Sequence, residues 1–171
     1  MPLILPGNVA SALGGAYEVA NSCRFNDGDS AYMSKTSTTQ TSQRKCTISC
    51  WIKRGDLGVD ATIFTLGASA GSTIYAYFKS DGTLEVYGTT SGTAINLRTN
   101  AIYRDPAAWY HLVIAIDTEQ GTAANRVKIY INGVQNTSLQ STTYPAEDLD
   151  FASLATSQTY YVGSLYGPQQ Y

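Results

Sequence analysis

Apolar and polar residues alternate along this chain in short runs, and polar or glycine-bearing connectors separate the runs. Two runs, Trp109–Asp117 and Arg126–Ile131, are rich in β-branched and aromatic residues, which is typical of buried strands. No run keeps the 3.6-residue apolar period of a packed helix, so the pattern predicts an all-β protein. The expected strands are Ser22–Asn26, Ala31–Ser34, Cys46–Arg54, Thr62–Leu66, Thr73–Lys79, Thr83–Gly88, Ala94–Leu97, Trp109–Asp117, Arg126–Ile131, Val134–Leu139 and Thr159–Ser164.

Two turn signals connect neighbouring strands. Asn132-Gly133 readily supplies the two positive φ angles of a type I′ hairpin turn. Upstream, we expect Ser80-Asp81-Gly82 to form a three-residue loop with its glycine in the left-handed conformation. A two-residue loop would mix the two faces of the hairpin, which a half-buried sheet penalises. The three-residue loop pairs Phe78 with Leu84, Ala76 with Val86, Tyr77 with Glu85 and Tyr75 with Tyr87.

This register places Tyr75, Tyr77 and Tyr87 together on the face of the hairpin that points away from the core, a group we call the tyrosine shelf. Aromatic faces stack on the apolar C–H face of sugars, and a tyrosine adds a hydroxyl that forms hydrogen bonds. The shelf is therefore a candidate carbohydrate-binding surface. The alternative is that the three rings pack against a neighbouring subunit or a covering loop.

Composition narrows the class of protein. The 171 residues fit one domain that can bury a core, and only 14% of them are charged. A net charge of −2, without a basic patch, argues against a nucleic-acid partner. The apolar residues 1–7 lack the basic start of a signal peptide, and no run has the length of a membrane-spanning helix. We expect a chain made in a cytoplasm, without membrane insertion.

The three cysteines predict reduced thiols rather than disulfides. Cys46 and Cys50 lie four residues apart in an expected strand, about 13 Å along it, which is too far for a disulfide. Cys23 leaves the count odd, and the three show no paired metal-binding spacing. Half-buried thiols of this kind suit a compartment that keeps cysteines reduced.

The two runs that end in Asp117 and Gly133 carry a resemblance to a known family. A strand that opens on Trp109-Tyr110-His111, then a polar loop, then a strand that closes on Tyr130-Ile131-Asn132-Gly133 resembles the concanavalin A-like lectin/glucanase superfamily, in its laminin-G-like branch. Residues 22–32 and 47–54 resemble the version found in bacteriophage virion proteins. The resemblance covers about Asn21 to Gly163 and is specific for the fold more than for function.

The resemblance implies a two-sheet antiparallel jelly-roll sandwich over residues 21–171, preceded by an extended arm over residues 1–20. Leu3, Ile4 and Leu5 make the arm apolar, so we expect it to anchor the domain to other virion proteins. We expect a core that includes Ile48, Ile52, Phe78, Leu84, Val113, Val127, Ile129 and Ile131.

The end of the chain suggests a missing strand. In relatives, one more strand follows the one that corresponds to 159–163, but the remaining segment contains Pro168, which cannot donate to a ladder. The resemblance therefore implies an open sheet edge that a neighbouring subunit, the arm or further residues of a longer product would pair with.

Enzymatic activity is not expected. Glucanases of the superfamily carry a Glu-x-Asp-x-x-Glu strand that aligns acids on one face, and this chain has no such run. The nearest acidic cluster, Glu147, Asp148 and Asp150, follows Pro145 in an apparent loop. His111 belongs to the fold signature and has no nucleophile beside it.

Calcium is the superfamily's common ligand, and loop oxygens would hold it. Asp27 and Asp29 are the candidate ligands, in the sequence Asn26-Asp27-Gly28-Asp29, which also has the composition of an ordinary turn. No position matches a family metal site, so we expect no cofactor beyond this candidate.

The function expected from these observations is that of a non-enzymatic structural or adhesion protein of a bacteriophage virion. It would be a module of a tail fibre, a tail tip or a capsid-surface decoration, would form a homo-oligomer, and could bind a host surface glycan. The alternative is a free carbohydrate-binding lectin or a carbohydrate-active enzyme module.

Overall fold

A computed structural model describes residues 21–69 and 71–167, which form two antiparallel β-sheets packed face to face. This confirms the predicted all-β, two-sheet sandwich. The seven-stranded sheet contains, in spatial order, β1 (Met33–Thr36), β11 (Thr159–Val162), β3 (Ala61–Ser69), β4 (Ser72–Phe78), β5 (Thr83–Thr90), β6 (Thr93–Ile102) and β10 (Leu139–Thr143). The four-stranded sheet contains β2 (Lys45–Lys53), β7 (Trp109–Asp117), β8 (Val127–Ile131) and β9 (Val134–Gln135).

The helical segments of the described residues are short. One α-helix, α1, spans Ala123–Arg126, and two 3-10 helices span Asp27–Asp29 and Ala152–Leu154. Arg126 therefore ends a helix, whereas the sequence pattern placed it at the start of a strand. No helix in the described ranges is long and apolar enough to cross a membrane.

Both predicted turns form. Asn132 and Gly133 have φ angles of 52° and 80°, and Ile131 pairs with Val134 across this two-residue turn. Gly82 has a φ of 86°, and its amide donates to the Lys79 carbonyl to close the three-residue loop. Each of the four predicted pairs between β4 and β5 is present.

The core lies between the sheets and is built from alternate residues of the strands. Phe78, Leu84, Val127 and Ile129 are buried as expected, and Ile48, Ile52 and Ile131 are half-buried against them. The expectation for Val113 is wrong. In β7 the buried set is Leu112, Ile114 and Ile116, so Val113 lies on the outer face with His111. The polar residues of β7, His111 and Asp117, lie on the same face as Val113, so the alternation of the strand places Val113 outward.

Two expected strands differ from the structure. Residues 22–26 are irregular, because the Asn26 carbonyl accepts hydrogen bonds from the amides of Asp29 and Ala31 and closes a turn there. The run 134–139 is divided, because the amide of Asn136 donates to Ile129 at the end of β9 and the chain then crosses to the other sheet.

The strand that precedes the predicted missing strand in the chain, β11, is paired on both sides. It lies between β1 and β3 and is hydrogen-bonded to both. Among the described strands, the edges are β1 and β10 in one sheet and β2 and β9 in the other. The anchoring residues Leu3, Ile4 and Leu5 lie outside the described residues, as does Pro168.

Gly67 provides a stability test of the packing between β3 and the 3-10 helix at Ala152–Leu154. Its φ is +84°, and an added Cβ would lie 2.7 Å from the Ser153 Cβ and 2.9 Å from the Ser72 carbonyl oxygen. We expect Gly67→Ala to lower the free energy of unfolding by about 3 kcal/mol, from strain and a backbone clash together. Urea denaturation measures this loss.

Gly58 is the matched control, because its φ is +98° but an added Cβ would meet nothing within 4 Å. Gly58→Ala should therefore lose only the strain component, about 1 kcal/mol. Equal losses in the two variants would show that Ser153 does not pack closely on Gly67.

Candidate functional site

The tyrosine shelf forms on the outer face of the seven-stranded sheet, as predicted. Tyr75 and Tyr87 are direct cross-strand partners in β4 and β5, and Tyr77 is two residues from Tyr75 on the same face. The ring centroids of Tyr75 lie 5.3 Å from Tyr77 and 5.4 Å from Tyr87, with the ring planes tilted by 43° and 40°. All three side chains are half-buried. The shelf is thus a contiguous aromatic surface that solvent still reaches.

Polar groups surround the shelf. The Tyr87 hydroxyl lies 2.7 Å from the Thr93 hydroxyl. The Lys79 ammonium is 4.8 Å from the centre of the Tyr77 ring, and it donates to Asp60 at 2.8 Å. Glu85, directly opposite Tyr77, is only 7% exposed. Hydroxyl, ammonium and carboxylate groups, all able to form hydrogen bonds, therefore lie at the margin of the rings.

Burial and neighbouring charge keep the hydroxyls of Tyr75 and Tyr77 protonated. Burial raises the pKa of Tyr75 above its ordinary value, and the nearby Tyr77 and Tyr166 raise it further. Burial also raises the pKa of Tyr77, and Glu85 adds to that shift through its charge and a hydrogen bond. These hydroxyls remain donors over the whole physiological pH range.

The last described segment crosses the same outer face beside the shelf. Thr65 is the cross-strand partner of Tyr75, yet it is fully buried, and its hydroxyl donates to the Ser164 carbonyl at 2.9 Å. Tyr166 is close enough to influence Tyr75 electrostatically. A chain segment therefore covers the outer face on the β3 side of the shelf, which is one of the alternatives expected for this surface. The rings of the shelf remain half-exposed.

A second aromatic group lies on the outer face of the four-stranded sheet, and the sequence reasoning missed it. Trp51 and His111 are cross-strand partners in β2 and β7 whose rings stack at 4.9 Å with planes 20° apart. The His111 Nε2 atom lies 2.9 Å from the Ser49 hydroxyl. Trp51 is 59% exposed and Trp109 is 50% exposed. The sequence contained one signal for this group. Trp51 alternates with the core-facing Ile48 and Ile52, which places the tryptophan on the outer face of its strand.

The acidic cluster after Pro145 is held by arginines. Arg44 contacts the Asp148 and Asp150 carboxylates at 3.0 and 2.8 Å, and Arg126 contacts Glu147 at 3.2 Å. Each carboxylate therefore has a cationic partner that fixes the loop against the sandwich.

The candidate calcium ligands lie in a 3-10 turn. The Asp29 carboxylate accepts a hydrogen bond of 2.7 Å from the Asn26 side-chain amide, and Asp27 begins the turn. Within the described ranges, no group of three or more His, Cys, Asp or Glu side chains could hold a metal ion. The calcium site stays a prediction.

The fold and these surfaces agree with the family that the chain matches. Residues 26–170 match a laminin G family model described as the concanavalin A-like lectin/glucanases superfamily. The match covers most of the chain, so this protein belongs to that superfamily.

Among solved structures, the chain is similar to the native heptameric SAP-like pentraxin from Limulus polyphemus. The two are 16% identical, with a TM-score of 0.41, over 77% of this chain and 66% of the pentraxin chain. This chain thus matches just under two thirds of the pentraxin's length. The comparison with curated proteins gave no match.

The cysteines allow a chemical test of which side chains face the core. All three are free thiols; Cys23 is exposed, whereas Cys46 and Cys50 are half-buried on the inner side of β2. Burial raises the pKa of Cys46 to about 12 and also raises that of Cys50. Because the thiolate is the reactive form, we expect iodoacetamide to modify Cys23 quickly and the other two slowly in the native protein.

Mass spectrometry of the labelled peptides measures these rates. Cys23→Ser should remove the fast phase, and denaturant should make all remaining thiols reactive. Labelling of Cys46 as fast as Cys23 in the folded chain would contradict the placement of β2.

Proposed function

We propose that this chain is a non-enzymatic carbohydrate-binding domain of a bacteriophage virion structural or adhesion protein. The observation that carries the proposal is the tyrosine shelf, with three contacting rings on an outer sheet face and polar groups at its margin. The superfamily description names lectins and glucanases, whose shared ligand class is carbohydrate. The host surface glycan is the ligand proposed for the shelf.

The chemistry of the shelf suits a sugar. A pyranose has an apolar C–H face that stacks on aromatic rings and a rim of hydroxyls that needs donors and acceptors. The protonated Tyr75 hydroxyl can donate to a sugar, and the hydroxyls of Tyr87 and Thr93 lie 2.7 Å apart at the margin of the rings. A half-exposed surface of this kind favours binding at a chain end or along a single face of a glycan.

The absence of catalysis is part of the proposal. The acids beside the shelf are engaged, because Asp60 is bound to Lys79 and the buried Glu85 is hydrogen-bonded to Tyr77. Glycoside hydrolysis needs two carboxylates that flank the scissile bond, one of them as a general acid. The arginine contacts of Glu147, Asp148 and Asp150 favour a structural role for that cluster.

The virion location and homo-oligomeric state are supported by the likeness of residues 22–32 and 47–54 to phage virion modules and by the exposed edge strand β1. Tyr32, Met33 and Val162 are 38%, 47% and 40% exposed, and Met33 pairs with Val162 at this edge. Apolar side chains at an open edge favour contact with a second chain. A tail fibre, a tail tip and a capsid-surface decoration all meet this description.

Tyr75→Leu tests the shelf, because leucine keeps apolar volume in a half-buried site but lacks an aromatic face. We expect glycan-array binding to fall by about fivefold or more, since a stacked ring contributes on the order of 1 kcal/mol or more. Tyr130→Leu is the matched control, a half-buried tyrosine on the outer face of the other sheet. Thermal melting should show both variants folded. Binding that survives Tyr75→Leu, with assembly lost instead, would make the shelf a subunit interface.

Deletion of residues 1–20 tests the anchoring role proposed for the arm with Leu3, Ile4 and Leu5. The described sandwich begins after residue 20, so we expect the shortened chain to keep its melting temperature but to be absent from purified particles. Immunoblotting of particles from complemented infections measures incorporation. Normal incorporation of the shortened chain would overturn the anchoring proposal and leave glycan binding untouched.

A further inference from the structure

A charged side chain occupies a core-facing position at the end of β2. Alternate residues of this strand, from Cys46 to Ile52, point between the sheets, and Arg54 continues that alternation beyond the strand. Arg54 is only 5% exposed, whereas residues 55–60 are all exposed. The guanidinium group therefore lies inside one end of the sandwich.

The contacts of Arg54 hold it in place and leave one edge of the guanidinium unused. Its Nη1 donates to the Tyr103 carbonyl at 2.7 Å, and its Cζ lies 4.7 Å from the centre of the Phe78 ring. Its Nε and Nη2 are buried without a hydrogen-bond partner. In a planar guanidinium these two nitrogens direct parallel N–H groups from one edge, which is the edge that binds both oxygens of a carboxylate.

No acid in residues 21–69 and 71–167 forms an ion pair with Arg54. Asp56 is two residues away, but its Oδ1 accepts from the Leu57 amide at 2.6 Å and influences Arg54 only through space. Arg104 places a second positive charge nearby. Burial lowers the pKa of Arg54, and Arg104 lowers it further, although Tyr110 and Asp56 oppose the shift. A buried charge without a counter-charge is costly, and two neighbouring guanidiniums attract an anion.

A second unused polar atom lies at the far end of Tyr103. The Asn136 side-chain amide donates to the Tyr103 hydroxyl at 3.1 Å, and the Asn136 Oδ1 is buried without a partner. Tyr103 thus lies between the unpaired Nε and Nη2 donors of Arg54 and the unpaired Oδ1 acceptor of Asn136. The rings of Phe78, Tyr103 and Tyr110 pack against one another at this end of the sandwich.

We propose that the Nε–Nη2 edge of Arg54 binds a carboxylate group, brought by a small organic acid or by an acidic sugar. The fork matches two coplanar oxygens and supplies the charge that the buried guanidinium lacks. Residues 55–59 make no backbone–backbone hydrogen bond within the described chain, and a Cβ at Gly55 or Gly58 would meet nothing within 4 Å. This loop can shift to admit the ligand. The inference is independent of the tyrosine shelf.

Nuclear magnetic resonance of the full chain tests the site at the atom concerned. Acetate and D-glucuronate, titrated separately, should each move the Arg54 Nε–H signal to a plateau, whereas D-glucose should leave it unchanged. Tighter binding of glucuronate than of acetate would assign the ligand to an acidic sugar, and equal binding would assign it to a small carboxylate. Either result supports the proposal.

Arg54→Lys keeps the charge but removes the fork, so carboxylate binding should weaken by about tenfold or more, followed at the Tyr103 amide signal. Arg24→Lys, at an exposed arginine without an ion pair in the described chain, should bind as the parent does. Arg54→Met should stay folded, because it removes a desolvated charge, and should not bind. The proposal would be overturned if the Arg54 Nε–H signal did not move during the titration, or if Arg54→Lys or Arg54→Met bound the carboxylate as the parent does. Either result would indicate that buried water occupies the Nε–Nη2 edge.

Discussion

Burial of one face of each sheet is the constraint on which the rest of this domain depends. A strand repeats every two residues, so the residues that fill the core also set the direction of every other side chain. In β7 the burial of Leu112, Ile114 and Ile116 turns His111 outward, and in β4 the burial of Ile74, Ala76 and Phe78 turns Tyr75 and Tyr77 outward. The two aromatic outer surfaces are thus consequences of the same alternation.

The sequence predicts the fold best where local chemistry and alternation agree. The β4–β5 hairpin is such a case, because Gly82 permits one loop and only one register separates apolar from polar faces. Val113 marks the failure, because it is apolar but shares its face with His111 and Asp117, and residue type alone does not decide burial. Residues 22–26 fail for another reason, because backbone hydrogen bonds of Asn26 form a local turn that competes with a ladder.

The parts of the candidate site that could not be predicted depend on contacts between residues that are far apart in the sequence. The shelf follows from one hairpin, whereas its cover comes from Ser164, which is 99 residues from its partner Thr65. The stacking of Trp51 on His111 likewise depends on the pairing of β2 with β7, 62 residues apart at the bond between Ser49 and His111. Local pattern gives the direction of each side chain, and tertiary pairing gives its neighbours.

Burial without a carboxylate partner separates Arg54 from the other arginines of the described chain. Arg44, Arg98 and Arg126 have carboxylate partners at or near the surface, where solvent makes such pairs contribute little to stability. Arg54 lies where a partner would matter most and has none in the described chain. The contacts of Arg54 with the Phe78 ring and the Tyr103 carbonyl offset part of its desolvation cost, but they leave the Nε–Nη2 edge without a partner. Binding of a carboxylate at that edge would supply the missing partner.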